Sequence, residues 1–335
     1  MHSKPIIRVV PFQPHCFAFG GFELQMIASM ESARAAGADI APLDFWRREA
    51  DFDIVHFWGL HQQHHETAKW AHAAGKKVVF SALVNYPGWK SWLRHMVSSM
   101  VGPARLRRAM LPIIDLITVV NQAQAQNLVR TVGVAAETVV AIPNSVDDIF
   151  FETSGHTESG AIGIRNYVLC VGNICRRKNQ LSLIKACRKM SVPLLLVGSV
   201  LTGEEDYGQA VAQAIAADSR FRWIRCLRAG SAELAAAYRG ATIFALPSHV
   251  EQQPISALEA AAGGKALVLA DRPYARQELY QNAVLANPRS VDGIARALRE
   301  ALDHPEKHCP PSSVIERCRR ERVGAAYMAV YHRLI

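Results

Sequence analysis

Two glutamates, Glu251 and Glu259, lie eight residues apart in the segment HVEQQPISALEAAAGGK. The apolar run at 242–248 is typical of a strand. The Ala-rich run after Pro254 is typical of a helix, with Pro254 at the favoured first-turn position. We therefore expect Glu251 in a loop at the carboxyl end of a strand and Glu259 little more than a turn inside the next helix. Because a helix N-terminus itself binds anions, the carboxylates are left to accept hydrogen bonds from hydroxyl groups.

A second group of residues with binding chemistry is the basic run Arg176, Arg177 and Lys178, in YVLCVGNICRRKNQ. It follows a strand that ends at Gly172 and precedes a helix, and in a parallel sheet this edge is where ligands bind. Charge-assisted hydrogen bonds are about twice as strong as neutral ones, so the run suits a diphosphate. A solvated charge run is the alternative, but it does not explain the position. A molecule with a central diphosphate and hydroxylated groups at both ends would satisfy the basic run and the two glutamates.

A third candidate is the glycine pair Gly20 and Gly21 in HCFAFGGFELQMI. Paired glycines before a helix let backbone N–H groups approach a ligand at the positive end of the helix dipole. The pair lacks the GxGxxG spacing of a dinucleotide fold, and a tight turn without a ligand explains it about as well.

The elements that must position these residues follow a regular alternation of short apolar runs and amphipathic segments, which is typical of βαβ units and a mostly parallel sheet. The predicted strands are 6–10, 53–57, 77–83, 116–120 and 138–143, then 167–172, 193–199, 221–227, 242–248 and 265–271. We expect an α/β protein with two Rossmann-like, doubly wound domains that face a central cleft.

The polar stretch 142–166 is a plausible linker, and the predicted domains are 1–150 and 151–335. The last segment, 312–335, is predicted to be one long helix that crosses back to the first domain.

Composition narrows the classes of protein. The chain has 335 residues, of which 50% are hydrophobic, and it has seven cysteines without a CxxC pair, so we expect reduced thiols. No apolar run is long enough to span a bilayer, and no signal peptide is evident at the start of the sequence, so a cytoplasmic location is expected. The net charge of +9 favours polyanionic partners, but no nucleic-acid-binding module is evident.

The segment 86–110 interleaves basic residues with Trp89, Trp92 and methionines. It resembles an interfacial element for an anionic membrane surface, and a solvated helix face is the equal alternative. Separately, the run FWGLHQQHHETAKWAH places His61 and His65 at helical spacing beside Glu66, but no third metal ligand is indicated, so we predict a polar helix start and no metal.

Four motifs together resemble a known family: GGFE (20–23), IPNSVD (142–147), VGNICRRKN (171–179) and PSHVEQQPISALEAAAGGKALVLAD (247–271). They look like the GT4 retaining glycosyltransferases, which have the GT-B fold, and they occur in the family's order. The E-x7-E element with its Ala-rich helix is the most specific.

The resemblance implies a role for each matched position. Glu251 would contact the donor sugar near the reacting carbon, and Lys178 with Arg177 would neutralise the departing diphosphate. Glu259 would hold the ribose hydroxyls of the nucleotide. The remaining donor-binding positions implied are Asn173, Arg176, Ile255, Ser256, Gly20 and Gly21. No metal and no cofactor are expected, and the partners would be a nucleotide-sugar donor and a glycan or lipid-linked acceptor.

The sequence departs from the family pattern in three places. Asn173 stands where the family often has Arg, and Gln252, Gln253 and Pro254 stand where glycines are common. Ala82 or Leu83 occupies the place of a His near the donor sugar. The family implies retaining transfer of a sugar, with bacterial surface polysaccharide or glycolipid assembly as the setting. A GT-B nucleotide-sugar epimerase and a non-catalytic sugar-nucleotide binder or assembly partner are the alternatives.

Overall fold

The structure, a computed structural model, describes residues 4–17, 19–84, 108–152 and 164–335. The chain forms two compact units, one of Met1–Ser145 with Arg320–Ile335 and one of Val146–Arg319. The division falls after Ser145, not after residue 150. Most of the basic segment predicted to meet a membrane, residues 86–107, lies outside the described residues. No helix in the part of the chain that is described has the length and hydropathy needed to cross a bilayer.

The first unit contains a parallel sheet with the order β2-β1-β3-β4-β5-β6. Its strands are β1 (Ile6–Val10), β2 (Asp39–Pro42), β3 (Ile54–Trp58), β4 (Lys77–Ser81), β5 (Leu116–Val119) and β6 (Val139–Ala141). Helix α1 (Gly21–Ala35) follows β1, α2 (His65–Ala73) follows β3 and α3 (Gln122–Asn127) follows β5. The sequence predicted five of these strands. It missed β2, a four-residue strand, DIAP, that pairs only with β1 at the edge of the sheet.

The second unit contains a parallel sheet with the order β12-β11-β10-β7-β8-β9. Its strands are β7 (Tyr167–Val171), β8 (Leu194–Val197), β9 (Phe221–Ile224), β10 (Ala241–Leu246), β11 (Ala266–Ala270) and β12 (Val284–Ala286). Its helices include α4 (Gln180–Met190), α5 (Glu205–Ala216), α6 (Ala232–Gly240), α7 (Ile255–Ala262) and α8 (Val291–Asp303). The sequence missed β12, an edge strand of three residues. In the predicted linker, Asp148–Phe150 forms a short 3₁₀ helix and Val146 bridges to Arg319.

The prediction of one long terminal helix was wrong. A short helix α9 (Ser312–Ile315) and a 3₁₀ turn end at Arg319, whose backbone is extended, and helix α10 (Arg320–His332) begins after this break. Helix α10 packs on α1 in the first unit, where Val323, Tyr327 and Val330 join the apolar core. The two helices approach closely at Gly324, because a Cβ built there would lie 2.2 Å from the carbonyl oxygen of Ser32.

A buried polar network ties α10 to the sheet of the first unit. His56 on β3 is fully buried, with Nδ1 2.9 Å from the hydroxyl of Tyr331 and Nε2 2.9 Å from Oγ of Ser81. Ser81 in turn lies 2.7 Å from Oγ1 of Thr118. Burial lowers the pKa of His56 to about 3, so the imidazole stays neutral and uses both nitrogens in hydrogen bonds.

Candidate functional site

The candidate site lies in the second unit, where the strand order changes direction between β7 and β10. From β7 the chain adds β8 and β9 on one side, and from β10 it adds β11 and β12 on the other. Ligands of open parallel sheets bind outside the carboxyl ends of the strands at such a switch point. The two loops at this point are 172–179, after β7, and 247–254, after β10. These are the loops that carry the basic run and Glu251.

Glu251 binds two of the three basic residues of the run. Nζ of Lys178 lies 2.7 Å from Oε1 of Glu251, and a terminal guanidinium nitrogen of Arg177 lies 2.9 Å from the same oxygen. The side chains of Glu251 and Lys178 are only 9% and 10% exposed, whereas that of Arg177 is 46% exposed. The second contact of Arg177 is to the backbone oxygen of Val250, at 2.8 Å. The structure therefore brings together the three residues predicted to be catalytic.

Backbone and amide contacts hold the two loops in register. The N–H of His249 donates to the carbonyl of Arg177 at 2.9 Å. Asn179 adopts a left-handed backbone, with φ of 62°, and its amide donates to the carbonyls of Pro247 and Pro288. The side chain thus joins the loops after β7, β10 and β12, a role that the sequence analysis missed. The one signal was an Asn between the basic run and the helix, since Asn tolerates this conformation better than most residues.

Gly172 directly follows β7 and lies against the side chain of Lys178. Its φ is +145°, which non-glycine residues rarely adopt, and a Cβ there would lie 3.3 Å from Cε and 3.4 Å from Nζ of Lys178. Asn173 follows, and its carbonyl accepts from the side-chain amide of Gln180 at 2.9 Å. The glycine therefore gives the lysine room to lie over the end of the strand.

Glu259 lies on α7 and is buried. The hydroxyl of Tyr238, on α6, donates to its carboxylate at 2.6 Å. Burial raises the pKa of Glu259 to about 7; the hydrogen bond from Tyr238 opposes this shift and the nearby carboxylate of Asp147 adds to it. Near neutral pH the group is therefore poised between its acid and its anion. Tyr238 was not predicted, because an isolated Tyr in an Ala-rich helix carries no sequence signal for this contact.

The other residues predicted to bind the donor in this unit lie outside the group formed by Glu251, Lys178 and Arg177. Arg176 turns to acidic residues, with an ion pair to Asp206 and its Nε 3.6 Å from Glu204, and it lies over the ring of Tyr207. Ile255 and Ser256 begin α7, so their backbone N–H groups are at the helix N-terminus. Pro254 is the residue that caps α7, one position earlier than predicted.

Gly20 and Gly21 lie in the first unit at the start of α1. The N–H of Gly20 donates to the carboxylate of Glu23 at 2.8 Å, and Gln13 donates to the other oxygen of Glu23 at 2.9 Å. A Cβ on Gly20 would meet only Glu23 at 3.6 Å, and one on Gly21 would meet nothing within 4 Å. The described surroundings therefore do not require glycine at either position, which leaves their predicted role in binding as a prediction.

Two further predictions, on the family's histidine and on a metal site, also concern residues of the first unit. At the place of the family's His, Ala82 is buried and Leu83 is 50% exposed. His61 accepts from the N–H of Gln63, and His65 pairs with the adjacent Glu66 at 2.8 Å. Among the described residues, no three His, Cys, Asp or Glu side chains are grouped as metal ligands.

Family models match both halves of the chain. Residues 20–149 match the Glycosyltransferase Family 4 model, and residues 156–311 match the model of glycosyl transferases group 1. None of the curated proteins compared with the chain is a significant match.

Similar solved structures share the fold across the whole chain. Anabaena Alr3699/HepE, in complex with UDP and glucose, is 16% identical with a TM-score of 0.71 and covers 98% of this chain and 99% of its own. Sucrose-phosphate synthase from Thermosynechococcus elongatus is 16% identical with a TM-score of 0.74 and covers 99% of each chain. A glycosyltransferase from Rickettsia africae is 12% identical with a TM-score of 0.68 and covers 100% of this chain and 99% of its own.

The two family models match in succession and together cover most of the chain, one in each half. The two six-stranded parallel sheets of this chain share their fold with the similar structures. The chain therefore belongs to the GT4-type glycosyltransferases of the GT-B fold.

Proposed function

We propose that this glycosyltransferase moves a sugar from a UDP-sugar to a glycan or lipid-linked acceptor, with retention at the anomeric carbon and without a metal. The observation that carries the proposal is the convergence of Lys178, Arg177 and Glu251 at the switch point of the second sheet. The UDP complexes of a similar structure support uridine as the base. Assembly of a bacterial surface polysaccharide or glycolipid, at the inner face of the membrane through residues 86–110, is the proposed setting.

The proposed division of labour follows from charge and burial. As the bond from the sugar to the diphosphate breaks, negative charge grows on the leaving oxygen, and Lys178 and Arg177 are the cations that stabilise it. The N–H groups of Ile255 and Ser256 add the positive end of a helix dipole. Glu251 holds the sugar, and Glu259 accepts hydrogen bonds from the ribose hydroxyls. These side chains supply the charge stabilisation that a metal ion gives in other transferases.

The test begins with binding. UDP, GDP, ADP, CDP and their sugar conjugates are added to the purified protein in the presence of a chelator, and the melting temperature is measured. A ligand at 100 times its Kd stabilises the native state by about 2.7 kcal/mol, so a selective rise identifies the base. If no nucleotide changes the melting temperature, the proposed donor site is wrong.

Transfer is then measured with the sugar conjugate that binds, and the anomeric configuration of the product is read by NMR. An inverted product would refute retention. Free UDP without transfer to any acceptor would favour the epimerase, and binding without turnover would favour the non-catalytic sugar-nucleotide binder.

A further inference from the structure

Glu259 is a buried carboxylate that forms no ion pair with any described residue. It is 8% exposed, and its Oε2 accepts the 2.6 Å hydrogen bond from the hydroxyl of Tyr238. Oε1 accepts no hydrogen bond from the described part of the chain and is not fully enclosed, so a ligand can reach it. A buried anion is costly without a cation or several hydrogen-bond donors. The ionised form of Glu259 is therefore short of partners until a ligand supplies them.

The ring of Tyr238 is packed against two phenylalanines. Phe150 meets it edge-on at 5.4 Å and Phe244 stacks on it at 6.0 Å, both measured between ring centroids, and Tyr238 is 1% exposed. The hydroxyl lies 2.6 Å from Oε2 of Glu259 and 3.1 Å from the carbonyl oxygen of Ser256. A phenol has one hydrogen to donate, and the shorter contact is to the carboxylate. The packed ring thus holds one oxygen of Glu259 and leaves the other for a ligand.

The charges near Glu259 in the described part of the chain do not favour its anion. The carboxylate of Asp147 is close enough to repel that of Glu259, and the neighbouring Asp148 pairs with Arg319 at 3.1 Å. Three other elements that pack on α7, which are β10 (ATIFAL), β11 (ALVLA) and α9 (SSVI), contain no Asp, Glu, His, Lys or Arg. Burial and Asp147 therefore favour the neutral acid, and the hydroxyl of Tyr238 stabilises the anion.

Protonation changes what Oε1 of Glu259 offers to a ligand. Burial raises the pKa of Glu259 to about 7, so both forms are populated near neutral pH. The neutral acid carries one O–H, and since Oε2 accepts from Tyr238, this proton belongs on Oε1. Oε1 is then a donor, whereas in the anion it is an acceptor. A hydrogen bond to an anionic oxygen is about twice as strong as one to a neutral oxygen, so ribose hydroxyls at Oε1 favour the anion.

We propose that Tyr238 is a positioning residue of the donor site and that donor binding releases the proton of Glu259 to solvent. The inference rests on the proposed function, which assigns the ribose hydroxyls to Glu259. Tyr238 holds Oε2 and thereby presents Oε1 to the ribose as an anionic acceptor. Donor affinity and fold stability then depend on pH in opposite directions. The neutral acid stabilises the empty fold below about pH 7, and the anion binds the ribose above it.

The test compares UDP with 2′,3′-dideoxy-UDP, which lacks both ribose hydroxyls. The two compounds have the same diphosphate, so the ratio of their Kd values reports ribose recognition and cancels the ionisation of the phosphate. We expect wild type to prefer UDP by about 30-fold at pH 8.5, in the range of one hydrogen bond to a charged group. The preference should be at least about 10-fold smaller at pH 5.5, and the midpoint of the change should lie near pH 7.

Tyr238→Phe removes the hydroxyl and keeps the ring. The midpoint should rise by about one pH unit or more, because the anion loses a hydrogen-bond donor. In Glu259→Gln the preference for UDP should not change with pH. Tyr167→Phe is the matched control, because its buried hydroxyl donates at 2.7 Å to the carbonyl of Ala237, one residue before Tyr238. That control should keep the midpoint of wild type.

Titration calorimetry at pH 7, in PIPES and in Tris, measures the released proton directly. UDP should release about half a proton more than 2′,3′-dideoxy-UDP, since Glu259 is about half ionised at this pH. An equal preference for UDP at pH 5.5 and 8.5 overturns the inference, and an unchanged midpoint in Tyr238→Phe overturns the role of Tyr238. If neither compound binds at any pH, the donor site is wrong, and the proposed function fails together with the inference.

Discussion

Glu251 is predicted to weaken the binding of a bare nucleoside diphosphate although it is needed for sugar transfer. Its carboxylate accepts from Lys178 at 2.7 Å and from Arg177 at 2.9 Å, and these are the two cations assigned to the diphosphate. The carboxylate and the diphosphate therefore compete for the same donors. In Glu251→Gln the competing charge is removed while the shape of the side chain is kept. We expect UDP to bind more tightly and transfer to be lost.

The magnitude follows from the two contacts. A hydrogen bond to a charged group contributes about 1.5 to 3 kcal/mol net. The contact between Lys178 and Glu251 should contribute at least about 1.5 kcal/mol, because both side chains are nearly buried. The contact between Arg177 and Glu251 should contribute less, because water screens the exposed guanidinium. A bound diphosphate must break most of the contact between Lys178 and Glu251. Because Glu251→Gln removes that contact beforehand, the variant should bind UDP about 10-fold more tightly, which is about 1.4 kcal/mol. Turnover should fall about 100-fold or more, as for the loss of one stabilising group in a transition state.

The assay is isothermal titration of UDP into wild type and Glu251→Gln, with transfer measured in parallel. Arg176→Gln is the control, because Arg176 pairs with Glu204 and Asp206 and not with Glu251. That control should leave the Kd of UDP within about 2-fold of wild type, in the range of a surface ion pair. Weaker UDP binding by Glu251→Gln would refute the competition, and unchanged turnover would refute the role of Glu251 in transfer.

Two further predictions concern burial and packing. The pKa of Glu259 is raised by burial to about 7, so its protonated form stabilises the fold fully below the unfolded pKa, and this contribution of about 3 kcal/mol is lost as the pH rises through 7. Urea unfolding from pH 5 to 8 should show that loss in wild type but not in Glu259→Gln. If the free energy of unfolding changed with pH equally in both proteins, the assigned burial of Glu259 would be contradicted. Gly324→Ala should lower the free energy of unfolding by about 1 to 3 kcal/mol, because its Cβ meets the Ser32 carbonyl at 2.2 Å. Gly263→Ala, whose Cβ has only ordinary contacts at 3.6 Å, should be near neutral, and a similar loss in both would remove helix contact as the cause.

The sequence predicted the sheets because buried parallel strands are continuous apolar runs. LLLV and ALVLA, for example, are recognisable without knowledge of their neighbours in the sheet. It missed β2 and β12, although β6 and β9 are edge strands of the same lengths; the runs that predicted β6 and β9, at 138–143 and 221–227, extend beyond those strands. The break at Arg319 was also missed, because the helical pattern on either side continues across it. After the break, α10 packs on α1 at Gly324, a contact between residues far apart in sequence.

Some contacts of the candidate site could likewise be predicted from the sequence, and others could not. The loops of Lys178 and Glu251 follow strands, and strand ends are readable from sequence, so their convergence was predicted. The contacts of Tyr238 and Asn179 were not, because each depends on which loops or helices become neighbours in the folded sheet. Arg176 shows the reverse case. It belongs to the same basic run as Lys178, but it pairs with Asp206 on α5. Sequence spacing does not show which residue of the run pairs with Asp206 and which pairs with Glu251.

The pairing of the site's cations also changes what the net charge of +9 means for binding. Lys178 and Arg177 already hold Glu251, and Arg176 holds Asp206, so the three basic residues present much less field than three unpaired charges would. A diphosphate that enters exchanges one anionic partner for another, and little counterion release accompanies the exchange. The affinity for UDP should therefore depend on salt less steeply in wild type than in Glu251→Gln, where the cations lack their carboxylate. This arrangement favours a small diphosphate, which contacts Lys178 and Arg177 directly, over a polyanion held only by long-range charge.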